Sequence, residues 1–141
     1  MRVMVFVKAT QGSESGSMPT EKDFAEMGKF NEQLAKAGVI LAAEGLKPTS
    51  NGKRVKFSGA TRTVIDGPFT ESKEIIAGFW LWQVRSMEEA VEWLKRAPFD
   101  GGTEIELRPV FETEDFGDAL TPEMKEQEER IRRQVGKQKA S

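Results

Sequence analysis

Chemistry in this chain has few places to come from. Cys, His and Tyr are all absent from its 141 residues. That removes thiolate nucleophiles, disulfides, imidazole bases and ligands, and phenolic acids. Carboxylates, Lys, Arg, hydroxyls and amides remain. Their densest gathering is Asp66-Gly67-Pro68-Phe69-Thr70-Glu71-Ser72-Lys73-Glu74. Asp66 has two readings. An Asp before Gly-Pro accepts hydrogen bonds from its own turn. Alternatively it is a carboxylate at a strand end that faces a cleft, as a base or a ligand-orienting group. Lys73 and Glu74 are either a solvated pair of little consequence or a ligand-binding pair in which Lys73 reaches the cleft and holds an anion.

Other candidates lie further along. Glu106 and Arg108 alternate with Ile105 and Leu107. They either form an ion pair that fixes the register of an interface, or Arg108 clamps a carboxylate or phosphate. Glu44, near the end of a predicted strand, fits either arrangement. Trp80 and Trp82 read first as core or interface aromatics, with ligand stacking as the second reading. Gly12 to Gly16 and Gly101-Gly102 lack the strand-to-helix context of phosphate loops, and no loop has calcium-ligand spacing. No cofactor and no metal are expected.

These groups must be positioned by a small set of elements. A short β-branched and aromatic run predicts a strand over 2–8, and Ser-Gly composition predicts a loop over 9–19. Thr20 is a predicted N-cap, followed by Phe24, Met27, Phe30, Leu34 and Ala37 at helical spacing, which gives a helix over 20–37 that stops at Gly38. Strands are predicted over 39–46 and 76–84, with a hairpin of 53–57 and 61–65 between them. Ser86 and Glu89 form a predicted capping box for a second helix, ended by Pro98. Residues 103–110 alternate as a half-buried strand. Thr121-Pro122 starts a charged, solvated helix over 122–135. The order is strand, helix, strand, hairpin, strand, helix, strand: an α+β, ferredoxin-like βαββαβ subunit with an inserted hairpin. Residues 1–117 are the expected domain, and 118–141 a charged helical tail.

Composition narrows the partners. Lys+Arg numbers 21 against 23 Asp+Glu, for a net charge of −2. This argues against nucleic acid or an anionic membrane as partner. No apolar run approaches the ~20 residues of a membrane span. The first eight residues are too short an apolar run for a signal peptide, so a cytoplasmic protein is expected. The central strands carry a further message. Val3, Val5 and Val7 alternate with Met4 and Phe6, and Phe79 and Leu81 alternate with Trp80 and Trp82. Both faces are apolar, yet two helices cover only one. A second copy packed sheet to sheet would cover the other, so a homodimer is expected, ahead of the alternative in which the weakly apolar tail helix folds back over that face.

The Asp66-Gly67-Pro68-Phe69 stretch, with Glu71-Ser72-Lys73-Glu74 after it, resembles the signature of the YCII-related (DGPF-domain) family. Gly78-Phe79-Trp80, Glu89-Ala90 and Glu106-Leu107-Arg108-Pro109-Val110 are similar to the same pattern, over about residues 1–111. The resemblance implies a dimeric α+β barrel of ferredoxin-like subunits with clefts at the helix-free sheet faces. It also implies a link to extracytoplasmic-function sigma factor signalling. A His–Asp acid–base pair attributed to some relatives cannot be carried over, because no His exists; only Asp66 matches its acidic member. Three functions follow as expectations: a small-molecule-binding homodimer for an anionic or aromatic ligand, a lyase or isomerase with Asp66 as acid–base and Lys73 or Arg108 holding an anion, or a protein-interaction module acting through the tail.

Overall fold

Alternation of valines with larger apolar residues makes Arg2–Lys8 the central strand β1. The computed structural model of the chain describes residues 1–69 and 74–140. After β1 comes a one-turn helix, α1 (Gln11–Glu14), inside the segment whose composition predicts loop. Thr10 and Ser13 cap each other reciprocally there, so hydroxyl-rich residues nucleate a turn rather than dissolve it. Helix α2 (Glu21–Lys36) begins as expected: Thr20 Oγ1 accepts from the Asp23 amide and the Asp23 carboxylate accepts from the Thr20 amide. It ends before Gly38, whose φ of 71° suits glycine.

Strand β2 (Ile40–Gly45) leads through a 3-10 turn (Thr49–Asn51) into the hairpin β3 (Lys53–Ser58) and β4 (Thr61–Asp66). Strand β5 (Ile76–Gln83), helix α3 (Met87–Lys95) and strand β6 (Ile105–Pro109) complete the pattern. At α3 the expected capping box is only half formed. Ser86 Oγ accepts from the Glu89 amide, but the Glu89 carboxylate accepts from Arg85 instead of Ser86.

The four-stranded sheet has the order β2-β5-β1-β6, with every neighbour antiparallel. With α2 and α3 in the two crossovers, this is the ferredoxin-like α+β arrangement, and β3–β4 form a separate two-stranded ribbon inserted between β2 and β5. Val3, Val5, Trp80 and Trp82 are buried in one cluster with Phe30 and Leu34 of α2 and Ala90 of α3. Ile105 and Leu107 pack against that cluster. Strand alternation therefore turns Met4, Phe6, Phe79 and Leu81 to the helix-free face. There Phe6 stands beside Phe79, and Met4 beside Leu81, in adjacent rows.

Met1–Pro109 form one compact unit and Val110–Ser141 another. The second unit holds a 3-10 segment (Thr113–Ala119), where Phe111 and Phe116 stack at 5.0 Å, and helix α4 (Pro122–Ala140). Helix α4 runs beyond the expected residue 135. Among the described residues, no helix is long and apolar enough to cross a membrane.

Candidate functional site

The site starts from two missing side chains. Gly45 of β2 and Gly78 of β5 pair directly across the sheet, in the row that continues through Val7 of β1 to Ile105 of β6. Gly78 is tightly placed: a Cβ there would lie 3.0 Å from the Glu44 carbonyl oxygen, so a side chain would require that backbone to shift. Gly45 is under no such pressure, since a Cβ at that position would meet nothing within 4 Å. The row leaves the helix-side surface of the sheet bare at one end, beneath the middle of α2. The result is a chamber of about 360 Å³. Its floor is Gly45, Gly78 and Ala43; its walls include Met27, Trp80 and Phe99.

One polar group sits among these apolar walls. Asn31 lies on the same side of α2 as Met27 and Leu34, and its Oδ1 accepts a 2.9 Å hydrogen bond from Trp80 Nε1. This bond satisfies an indole that is otherwise buried, and it fixes the amide so that the Asn31 nitrogen is the donor left over. Phe99 packs edge-on to Trp80 at 6.0 Å and Phe30 does so at 5.9 Å, so the indole is held on two sides.

A second hollow of about 480 Å³ continues from the chamber, sharing Val7, Pro19, Met27, Ala77 and Phe99. Its walls are more polar and include Lys8, Thr10, Asp23 and Asp100. Lys8 does not present a free cation: its ammonium lies 3.0 Å from Glu74 and 3.3 Å from Glu104. The Glu74 hydrogen bond above all holds the Lys8 pKa above its ordinary value, with Glu104 adding to it. Asp23 is held below the usual carboxylate range, chiefly by the Thr20 backbone N–H and then by the Thr20 hydroxyl. Among the described residues, no cluster of acidic side chains could hold a metal ion.

The residues singled out from sequence scatter around this site. Trp80 lines the chamber. Glu44 borders it too, but by strand alternation its side chain belongs with Phe79 on the helix-free face. Glu74 bonds Lys8 at the edge of the second hollow. Arg108 is exposed on the edge strand β6, 3.7 Å from Glu106. Lys73 lies outside the described residues. Asp66 lies on the hairpin, 73% exposed and ion-paired with Lys53 across from it; it lines neither the chamber nor the hollow beside it.

The turn after Asp66 is tied down instead. A Cβ on Gly67 would lie 1.7 Å from the Thr49 carbonyl oxygen, so only glycine fits. Phe69 N donates to Thr49 Oγ1 at 3.0 Å, and the Arg54 guanidinium covers the Phe69 ring at 3.9 Å. Thr49 in turn donates through its amide and hydroxyl to the Glu14 carboxylate. The turn, the 3-10 segment and α1 are thereby joined. Gly45, Asn31, Met27 and Phe99 carry the chamber, and sequence reasoning assigned none of them to a site. Asn31 left a signal, as an amide within the otherwise apolar α2 stripe.

The sequence pattern of the YCII-related domain matches residues 1–114. An uncharacterised protein of Rhizobium meliloti (strain 1021) is 28% identical over 75 residues, which span 53% of this chain and 60% of that protein. The match thus reaches less than two thirds of that relative's length. Among solved structures, similarity extends to 5-chloro-2-hydroxyhydroquinone dehydrochlorinase from Burkholderia phenoliruptrix AC1100 in complex with 2,5-dihydroxybenzoquinone. The TM-score is 0.46 at 15% identity, covering 82% of this chain and 98% of that one.

Proposed function

The chain belongs to the YCII-related family, and from that premise we propose that it binds a small, flat, mainly apolar molecule in the chamber beneath α2. The supporting observation is the Gly45–Gly78 pair, which leaves open a volume that an ordinary side chain at Gly45 would fill. A chamber of this size, with aromatic walls and one converging amide, suits a one- or two-ring compound. The Asn31 amide nitrogen would donate to a hydroxyl or carbonyl oxygen on it. An aromatic ligand fits better than an anionic one. Asp23 and Asp100 border the adjoining hollow, and the charge of Lys8 is already matched by Glu74 and Glu104.

Thermal unfolding against a panel of hydroxylated and unsubstituted aromatics tests this reading, with Gly45→Leu beside the wild type. A compound at 100 times its dissociation constant stabilises by ~2.7 kcal/mol, a shift of several degrees for a chain of this size. The shift is expected in the wild type and absent in Gly45→Leu. Equal shifts in both proteins would remove the chamber from consideration.

A homodimer through the helix-free face is the second part of this reading. It is favoured by Met4, Phe6, Phe79 and Leu81, which form a contiguous apolar block there. Light scattering is expected to give twice 15.8 kDa, and Leu81→Glu to halve the mass. A wild-type monomer at micromolar concentration would overturn it.

A further inference from the structure

Helix α2 acts as a ruler along the cleft. Phe24, Met27 and Asn31 lie three and four residues apart, on one side of the helix. Asn31 lines the chamber, Met27 lines both the chamber and the second hollow, and Phe24 lines the second hollow. The cleft therefore follows α2 toward its N-terminus, over about 10 Å from Asn31 to Phe24. Val7, Pro19, Ala77 and Phe99 are shared as Met27 is, so the two spaces adjoin along a broad boundary.

The far end of this cleft carries large apolar side chains that nothing covers. Phe24 is 58% exposed and Met18 78%. Ser17 N donates to the Gly12 carbonyl at 3.0 Å, which ties the segment carrying Met18 back to α1. Single apolar residues on a surface are ordinary. These two are not single: with Pro19, Met27 and Phe99 they line one hollow, in continuity with an aromatic chamber.

We propose that the ligand is a phenol-like ring carrying an unbranched apolar arm. The ring occupies the chamber, and the arm lies along the second hollow against Met27, Phe24 and Met18. This rests on the chamber reading above and names the ligand class for it. The arm is neutral to its end. A terminal carboxylate would face Asp23 and Asp100, and the charge of Lys8 is already matched by Glu74 and Glu104. Because Phe24 and Met18 stand at the surface, the arm keeps one side in water. A fully buried methylene is worth about fourfold in affinity, and a half-buried one about twofold.

Titration calorimetry of para-ethylphenol, para-butylphenol and para-hexylphenol against the full-length protein tests the class. Affinity is expected to rise about twofold per methylene, so the hexyl compound binds at least about tenfold more tightly than the ethyl compound. A para-hydroxyphenylhexanoic acid, with an arm of similar length and a charged end, is expected to lose that gain. Phe24→Ser combined with Met18→Ser is expected to cut the hexyl-to-ethyl ratio to below about threefold. Phe24→Gln alone keeps a good helix former in α2 and is expected to about halve the ratio, which covers a double variant that fails to fold. A flat series in the wild type, with every member lost in Gly45→Leu, would overturn the arm and keep the chamber. A rise that persists in the double variant, or an acid that binds as tightly as the hexyl compound, would place the arm outside this hollow and overturn it too. Binding that survives Gly45→Leu, or no binding by any of these phenols, would remove the chamber and the arm with it.

Discussion

The helix-covered face of the sheet and the β3–β4 ribbon draw on similar residues and use them in opposite ways. On the sheet, Val3, Val5 and Trp82 are buried beneath α2 and α3. On the ribbon, Val55, Phe57, Val64 and Ile65 are all exposed. The sheet strands have two helices above them, whereas among the described residues the ribbon is two strands whose apolar side chains stay exposed, an arrangement of marginal stability by itself. The difference bears on function. The Asp66-Gly67-Pro68-Phe69 turn belongs to the ribbon side and acts as a joint to Thr49 and Glu14. The chamber belongs to the sheet side and arises where side chains are missing.

The largest effect that can test this contrast is a cavity in the core. Leu34 is fully buried, so Leu34→Ala is expected to cost about 2–5 kcal/mol in denaturant unfolding. Val64→Ala on the ribbon is expected to stay within ~0.5 kcal/mol. Equal losses would erase the distinction between the two regions. The next effect tests the joint. Gly67→Ala forces a methyl group into the Thr49 carbonyl, and overpacking of this kind costs ~1–3 kcal/mol. Amide exchange should show where the strain goes: the Phe69 N–H, bonded to Thr49, is expected to lose protection while β1 and β5 keep theirs.

A smaller loss is expected at Asn31. Asn31→Leu keeps the branching of the side chain but removes the acceptor for Trp80 Nε1, and an unpaired buried donor costs about 1–2 kcal/mol. The same change should weaken hydroxylated aromatics more than unsubstituted ones. Uniform weakening would mean that Asn31 shapes the chamber without addressing the ligand. The α2 cap adds a pH signature. Asp23 is depressed in the folded chain, so its contribution is present above the ordinary carboxylate value of 3.8 and fades as pH falls through the lower folded value. Asp23→Asn is expected to flatten stability across that acidic window and to leave the profile near neutrality parallel to the wild type.

The sheet and the helices were readable because their signals are local. Alternation in 2–8 and 76–83, the Thr20 cap and the Met27–Phe30–Leu34 stripe each lie within one element. The two-faced strands were readable for the same reason. Helix α1 was not, because a reciprocal Thr10/Ser13 cap looks like any other hydroxyl-rich loop. The chamber was hidden for a deeper reason. Gly45 and Gly78 become one feature only when β2 and β5 pair, and Phe99 joins them from the loop after α3. A gap has no side chain to attract notice. The turn at Asp66 attracted notice for residues that the close approach of Gly67 to Thr49 largely explains.

Asp66 is therefore where the smallest effect carries the most information. Its carboxylate is 73% exposed and pairs with Lys53, itself well exposed, across the ribbon. Exposed pairs contribute ~0–1 kcal/mol, so Asp66→Asn is expected to lower stability by no more than about 0.5 kcal/mol. Because Asp66 lines neither the chamber nor the hollow beside it, the dissociation constant of any aromatic ligand should change less than twofold. Titration calorimetry of the variant against the compound that stabilises the wild type checks both points together with an unfolding curve. A tenfold loss of affinity, or loss of a turnover that the wild type performs, would show that the ribbon folds over the ligand and that the joint is part of the site. An unchanged affinity would leave Asp66 as a strand-end partner for Lys53 and locate ligand recognition in Trp80, Asn31 and the glycine floor.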